Sequence, residues 1–343
     1  MKQLLNTLFV TSENAYLSLD GENIVVNREQ EEVGRYPLQI LSGIISFSYA
    51  GASPALMGAL AERGVFLTFC TPRGRFLARI CGESQGNVLL RRAQYRIADD
   101  LLQSCMVAKC FIFGKVYNAR WSIERTLRDH RLRVDEDKLK AASQMLKGLL
   151  PDIAGETDME SLRGFEGAAA TLYFGVLDDM ILNRKEEFFF HTRSRKPPLD
   201  RMNALFSFAY SLLGHDCASA LEAVGLDSYV GFMHRDRPGR ISLALDLMEE
   251  LRACYADRFV LTLVNNRIIS PDDLEMQESG AWYLSDDARR AFLKHWQQRK
   301  QEPIIHPYLE EKILWGLVPY VQALLLSRYL RGDLDSYPPF LWK

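Results

Sequence analysis

The spacing of apolar residues changes at about Gly86, and that change constrains the fold more than any other feature of the chain. Before it, short β-type runs alternate with turn residues. Thr7–Val10, Ala15–Leu19 and Asn23–Val26 read as strands, with Asp20-Gly21 as the turn between the last two. Residues 39–47 and Val65–Cys70 read as further strands, and Thr71-Pro72-Arg73-Gly74 as a turn leading to a partner strand over 75–80. One helix interrupts them, over 53–63, with Pro54 in its first turn and Gly64 at its end. Beyond Gly86, apolar residues recur at helical spacing over 88–116, 120–131, 135–150, 166–182, 200–213, 242–256, 286–299 and 308–329. The fold class is therefore α+β. A small β-rich domain over 1–88 precedes a larger all-α domain over 89–343. The tail over 333–343, with Pro338-Pro339, reads as an irregular surface segment.

Composition narrows the function classes. Hydrophobic residues make up 48% and charged residues 25% of 343 positions, which allows a full core without covalent staples. The six cysteines are scattered with no C-x-x-C pair, which argues against a zinc or iron–sulfur site and for buried free thiols. The N-terminus turns polar too early for a signal peptide, and no apolar run reaches membrane-spanning length, so the expected compartment is the cytoplasm. No P-loop motif is present. A net charge of −2 is not that of a uniformly basic nucleic-acid binder, but arginines and lysines cluster around 73–79, 91–96, 184–196 and 235–240. A single such cluster is most often a solvated face.

Three short motifs carry the chemistry. They are Arg163-Gly164-Phe165-Glu166-Gly167, Gly231-Phe232-Met233-His234 and Leu245-Asp246-Leu247-Met248-Glu249. Asp246 and Glu249 are three apart, hence one turn apart on one helix face. Glu166 lies among small residues that permit close approach by a backbone or a phosphate. Together the motifs supply one imidazole and three carboxylates, a donor set for Mg²⁺ or Mn²⁺ and phosphodiester chemistry. Two carboxylates about 5 Å apart repel by roughly 3 kcal/mol at an effective dielectric of about 20, so three converging acids call for a cation. Taken singly, each motif is weak: D-x-x-E on a helix usually faces solvent, and sequence spacing does not bring the segments together.

The order and spacing of these motifs resemble the CRISPR-associated integrase of the adaptation module, the "Cas one" endonuclease. The similarity runs over most of the chain and is strongest to the type I-C versions. It rests on Gly86-Asn87-Val88 through Arg96, the Glu166 motif, Arg195-Lys196-Pro197-Pro198 with Asn203-Ala204-Leu205, and residues 231–250. The resemblance implies an N-terminal β-sandwich-like domain that dimerises and a helical catalytic domain. It implies Glu166, His234 and Asp246 as catalytic metal ligands, with Glu249 as a fourth ligand or a residue behind the ligands. It implies double-stranded DNA as substrate: prespacer 3′-hydroxyls attack the edges of a CRISPR repeat. Arg235, Arg237, Arg240 and Arg252 are the expected phosphate contacts, followed by Arg195, Lys196 and Asn203. Tyr173 and Tyr210 are read as buried helix-packing residues, with contact to DNA or to the ligand shell as the alternative. The implied partners are a second copy of the chain, the small "Cas two" protein and a "Cas four" iron–sulfur nuclease. Two other readings use the same fold: a structure-selective DNA-repair metallonuclease and a non-catalytic DNA scaffold.

Overall fold

The computed structural model describes residues 6–12, 14–29, 31–71, 76–80, 88–194 and 196–343. The expected turn over 71–74, Arg73, Arg75, Cys81, Gly86, Asn87 and Arg195 lie wholly or partly outside the described residues. The strands run β1 (Asn6–Val10), β2 (Tyr16–Asp20), β3 (Asn23–Arg28), β4 (Glu31–Pro37) and β5 (Leu41–Ser46). Helix α1 (Pro54–Glu62) follows, then β6 (Phe66–Cys70) and β7 (Phe76–Ile80). The α1 start is as read from the sequence: the Ser53 hydroxyl accepts from the Leu56 N–H, and Pro54 needs no donor there. Strands β1, β5 and β6 pair in parallel, with β7 antiparallel at the edge, while β2, β3 and β4 form an antiparallel sheet. Val10, Ile44 and Leu67 from the first sheet share one core with Leu17, Ile24 and Val26 from the second and with Leu56 and Leu60 of α1. Strand β4 has no counterpart in the sequence reading, because its Glu-Glu-Val-Gly-Arg-Tyr-Pro run is exposed on both faces and shows no alternation.

The helical part begins with α2 (Val88–Asp99) and α3 (Leu101–His130). It continues through α4 (Glu136–Gly155), α5 (Met159–Phe174), α6 (Arg201–Ala223), α7 (Ser242–Leu251) and α8 (Arg258–Asn265). Short strands β8 (Leu274–Met276) and β9 (Trp282–Leu284) pair before α9 (Asp286–Gln301). Strands β10 (Pro303–Ile305) and β11 (Lys312–Leu314) pair before α10 (Val318–Leu330). Where periodicity suggested one helix over 88–116, the chain breaks at Asp100. Its carboxylate caps α3 by accepting from the Leu102 and Gln103 N–H groups, each at 3.0 Å. Helix α3 then runs on without a break for 30 residues. It packs on α4, α5 and α7. The chain divides into two compact units: Met1–Gln85 with Asp286–Glu302 and Leu314–Leu317, and Gly86–Ser285 with Pro303–Ile313 and Val318–Lys343. The architecture is thus a β-rich N-terminal region followed by a larger helical region. Among the described residues, no helix is long and apolar enough to cross a membrane, and the cysteines form no disulfide, most of them being buried.

The tail is irregular but not a surface segment. Tyr337 and Phe340 are fully buried. The Asn118 side chain on α3 donates to the Phe340 carbonyl at 2.6 Å and accepts from the Trp342 N–H at 2.9 Å. Gly114 makes room for this arrangement: a Cβ there would sit 2.9 Å from the Glu250 Cβ and 3.2 Å from the Pro339 Cβ.

Candidate metal centre

The His234 loop is shaped around one carboxylate. Asp246, on the first turns of α7, is completely buried. Its Oδ2 accepts from the Phe232 N–H at 2.6 Å and the Met233 N–H at 3.0 Å. Its Oδ1 accepts from the His234 N–H at 3.0 Å and from the His234 ring Nδ1 at 2.5 Å. Three successive backbone donors therefore converge on one acid, which replaces the water they lose on burial. Gly231 opens the turn because no side chain fits: a Cβ would lie 2.8 Å from Asp246 Oδ2 and 2.9 Å from the Ser242 Cβ. The loop is tied down from three other helices. Gln94 of α2 donates to the Asp227 and Val230 carbonyls, each at 2.8 Å. Ser104 of α3 donates to the Phe232 carbonyl at 2.8 Å, and Arg163 of α5 to the Met233 carbonyl at 2.9 Å. Because a carboxylate only accepts, the ring proton sits on Nδ1, and the Nε2 lone pair is left for another partner.

Glu249, one turn beyond Asp246, meets Glu166 through a residue the sequence reading did not single out. The Lys115 ammonium of α3 forms ion pairs with Glu166 Oε1 and with Glu249 Oε2, the latter at 2.9 Å. The other Glu249 oxygen takes Arg252 at 2.6 Å. Burial would raise the Glu249 carboxyl, but the Arg252 and Lys115 charges outweigh it and hold the group at about 2. Glu249 Oε2 is buried and makes no well-angled hydrogen bond. Beyond Glu249 the chain enters a π-helical turn, Arg252–Asp257, an irregularity common at functional sites. There the Arg252 guanidinium lies 4.8 Å from the Tyr210 ring centroid, and the Tyr210 hydroxyl donates to Asp257 at 2.5 Å. Burial raises the Asp257 carboxyl to about 6, against the opposing pull of Tyr210 and Arg252.

The motifs expected to converge thus lie side by side, with unequal roles. Glu166, His234 and Glu249 retain donor atoms that the protein does not saturate, whereas every oxygen of Asp246 is engaged. Among the described residues, no three His, Cys, Asp or Glu side chains close on one point as a ready metal shell; Lys115 is wedged between two of them. That wedge is itself informative: a cationic group stands between two acids, one of which, Glu249, is 5% exposed and the other, Glu166, 26%.

The expected DNA contacts divide by exposure. Lys196, Arg235 and Arg237 are exposed and Arg240 half-buried, on the surface that carries the His234 loop in the case of the three arginines. Arg235 also pairs with Glu160 at 3.0 Å. Arg252 is half-buried against Glu249 and Tyr210. Asn203 is fully buried. Its amide donates to the Thr192 carbonyl at 2.8 Å and to Asp200 at 2.6 Å, while its oxygen accepts from Arg193 and the Ser194 N–H. It anchors the loop before α6. A Cβ at Gly164 or Gly167 would meet nothing within 4 Å, so the small face of α5 beside Glu166 is open.

A family model for the CRISPR associated protein Cas1 matches residues 8–298. The chain is 49% identical to the CRISPR-associated endonuclease Cas1 1 of Chlorobaculum tepidum, over all of both proteins. Its fold is similar to that of a casposase bound to integration product, with a TM-score of 0.82 at 20% identity, over 99% of this chain and 95% of that one. It is equally similar to a chain of a Cas6-RT-Cas1–Cas2 complex, with a TM-score of 0.81 at 22% identity, over 100% of this chain and 36% of that one. This chain therefore belongs to the Cas1 family, the CRISPR-associated endonucleases that act as integrases in CRISPR adaptation.

Proposed function

We propose that this chain joins the 3′-hydroxyls of a prespacer duplex to the edges of a CRISPR repeat, with Glu166, His234 and Glu249 holding a divalent cation, Mg²⁺ or Mn²⁺. The supporting observation is the pair of acids bridged by Lys115, next to an imidazole whose Nδ1 is fixed on Asp246. The donor set fits such an ion: carboxylate oxygens suit either metal, and one imidazole favours Mn²⁺. When bound, the ion supplies positive charge that polarises the target phosphate and stabilises the oxyanion formed during in-line exchange.

The protein's own groups do the rest. Asp246 holds the Nδ1 proton, orients the ring and keeps Nε2 available. That role replaces the direct ligation expected for Asp246, because its lone pairs are taken by the loop. Glu249 stays ionised across the physiological range under the influence of Arg252 and Lys115. Arg235, Arg237, Arg240 and Lys196 attract the DNA backbone. Asn203 and Arg252 are left out of that surface because both are spent internally. The bare face of α5 at Gly164 and Gly167 gives a phosphate room to approach Glu166. Binding on this basis is insensitive to sequence and steeply dependent on salt.

The partner set follows the resemblance: a homodimer, a Cas2 protein and a Cas4-type nuclease, in a type I-C system in the cytoplasm. The Cas2 assignment draws support from the structural likeness to a Cas1 chain assembled with Cas2. The test is His234→Ala. Strand transfer into a repeat-bearing plasmid is lost while duplex binding persists. Retained strand transfer refutes the catalytic assignment, and efficient cleavage of branched DNA by the native chain without any plasmid insertion favours a repair nuclease.

A further inference from the structure

An ammonium buried between two acids has a physical cost that its partners must offset. Taking a charge out of water is costly unless it is paired. Lys115 is 12% exposed, and its pairs are with Glu166 and Glu249. It arrives from α3, whereas the acids arrive from α5 and α7, so the lysine fixes the spacing between two helices that carry donors.

The two cations on Glu249 are not equivalent. Arg252 is held by its place over the Tyr210 ring and its attraction to Asp257 as well as by Glu249. Lys115 is a compact charge on a flexible stem. A cavity of about 20 Å³ adjoins it, lined also by Tyr173, Arg252 and Asp257. That space is enough for one water or a shifted ammonium, and it presents a further carboxylate, that of Asp257.

From this geometry we propose that Lys115 is an exchangeable internal counterion: it holds Glu166 and Glu249 together before a divalent ion binds, and it gives up its position to that ion. The proposal rests on the metal reading above. Lys115 is a positioning residue, and it competes with the metal it prepares for. Its removal therefore has two opposite effects. The chain without metal is destabilised, because two acids are left facing each other. The affinity for a cation increases, because the competitor is gone.

The experiment titrates Mn²⁺ into the full-length chain by calorimetry for the native protein and for Lys115→Met, Lys115→Gln and Lys115→Arg, and follows thermal unfolding with chelator and with Mn²⁺. The two neutral variants should bind Mn²⁺ at least about tenfold more tightly than the native chain, the factor one charge-assisted hydrogen bond to a carboxylate is worth. They should also melt lower in chelator and recover with Mn²⁺. Lys115→Arg should stay near the native affinity. Damage to the fold alone would weaken binding, so the direction of the change is diagnostic. If Lys115→Met fails to fold, Lys115→Gln carries the comparison. Native Mn²⁺ binding with unchanged or weaker affinity in the neutral variants overturns this proposal and leaves the metal reading standing. A native chain that takes up no Mn²⁺ overturns both.

Discussion

Asp246→Asn separates two roles that both predict an inactive enzyme. In the native chain each carboxylate oxygen accepts two hydrogen bonds, from the Phe232 and Met233 N–H groups on one side and from the His234 N–H and Nδ1 on the other. An asparagine can place its single oxygen on only one side. The amide NH₂ then faces donors on the other, and at least one buried backbone N–H loses its partner. Lost charge-assisted bonds cost about 1.5–3 kcal/mol each, so the penalty is on the order of 3 kcal/mol. For a helical unit of this size that corresponds to roughly 6–12 °C in melting temperature. The imidazole also changes tautomer to accept from the amide, which moves its proton to Nε2 and should weaken metal binding about 10–100-fold. The assay is thermal unfolding in excess chelator alongside Mn²⁺ calorimetry. Were Asp246 instead a bare ligand with no part in the loop, removing its charge would relieve repulsion in the metal-free protein. A melting temperature in chelator equal to or above that of the native chain therefore refutes this reasoning.

Three further outcomes follow from the same geometry. Gly231→Ala puts a Cβ within 3 Å of Asp246, the His234 carbonyl and Ser242, so strand transfer should fall at least about tenfold, the cost of roughly 1.4 kcal/mol of displaced geometry; native-like rates would show that the loop is not fixed. Burial pushes the Glu250 carboxyl up to about 7 from its ordinary 4.5, so its contribution to stability is complete below about pH 4.5 and is lost as the pH rises through about 7; the melting temperature of the native chain relative to Glu250→Gln should decline between pH 5 and 8, and a difference independent of pH would contradict it. Charge reversal at Arg237 should weaken duplex binding and flatten its dependence on salt by about one unit of log–log slope or more; an unchanged slope removes Arg237 from the DNA surface.

The gross fold was legible because the hydrophobic period itself changes near Gly86, and because Ser53, Pro54 and Gly64 mark a helix by local rules. Break points set by a single side chain were harder to read: Asp100 caps α3 where periodicity alone runs straight through. The tail misled because Tyr337 and Phe340 sit among prolines and charged residues, and their partners lie far off in sequence: Tyr337 donates to Glu250, and the backbone at Phe340 and Trp342 bonds to Asn118, more than 200 residues away. At the candidate site, three acids and a histidine were found by motif. Which acid holds the loop and which pairs with Lys115 and Arg252 was not legible, since Asp246 and Glu249 share a helix face and differ in what folds back onto them. Lys115 left one faint trace. It is a charge within the apolar run Phe111-Ile112-Phe113-Gly114-Lys115-Val116, and a charge in a helix buried by its neighbours needs a partner. The sequence does not say which partner, because α5 and α7 supply the two acids from far along the chain.

The assignment of a shared cation to Glu166, His234 and Glu249 is tested most directly by anomalous diffraction from crystals of the chain grown with Mn²⁺. One peak is expected, contacted by the Glu166 and Glu249 carboxylates and His234 Nε2, with Lys115 moved aside and Asp246 still on the His234 loop. A peak seated on the Asp246 carboxylate, or no peak with Lys115 still bridging the two glutamates, would contradict it.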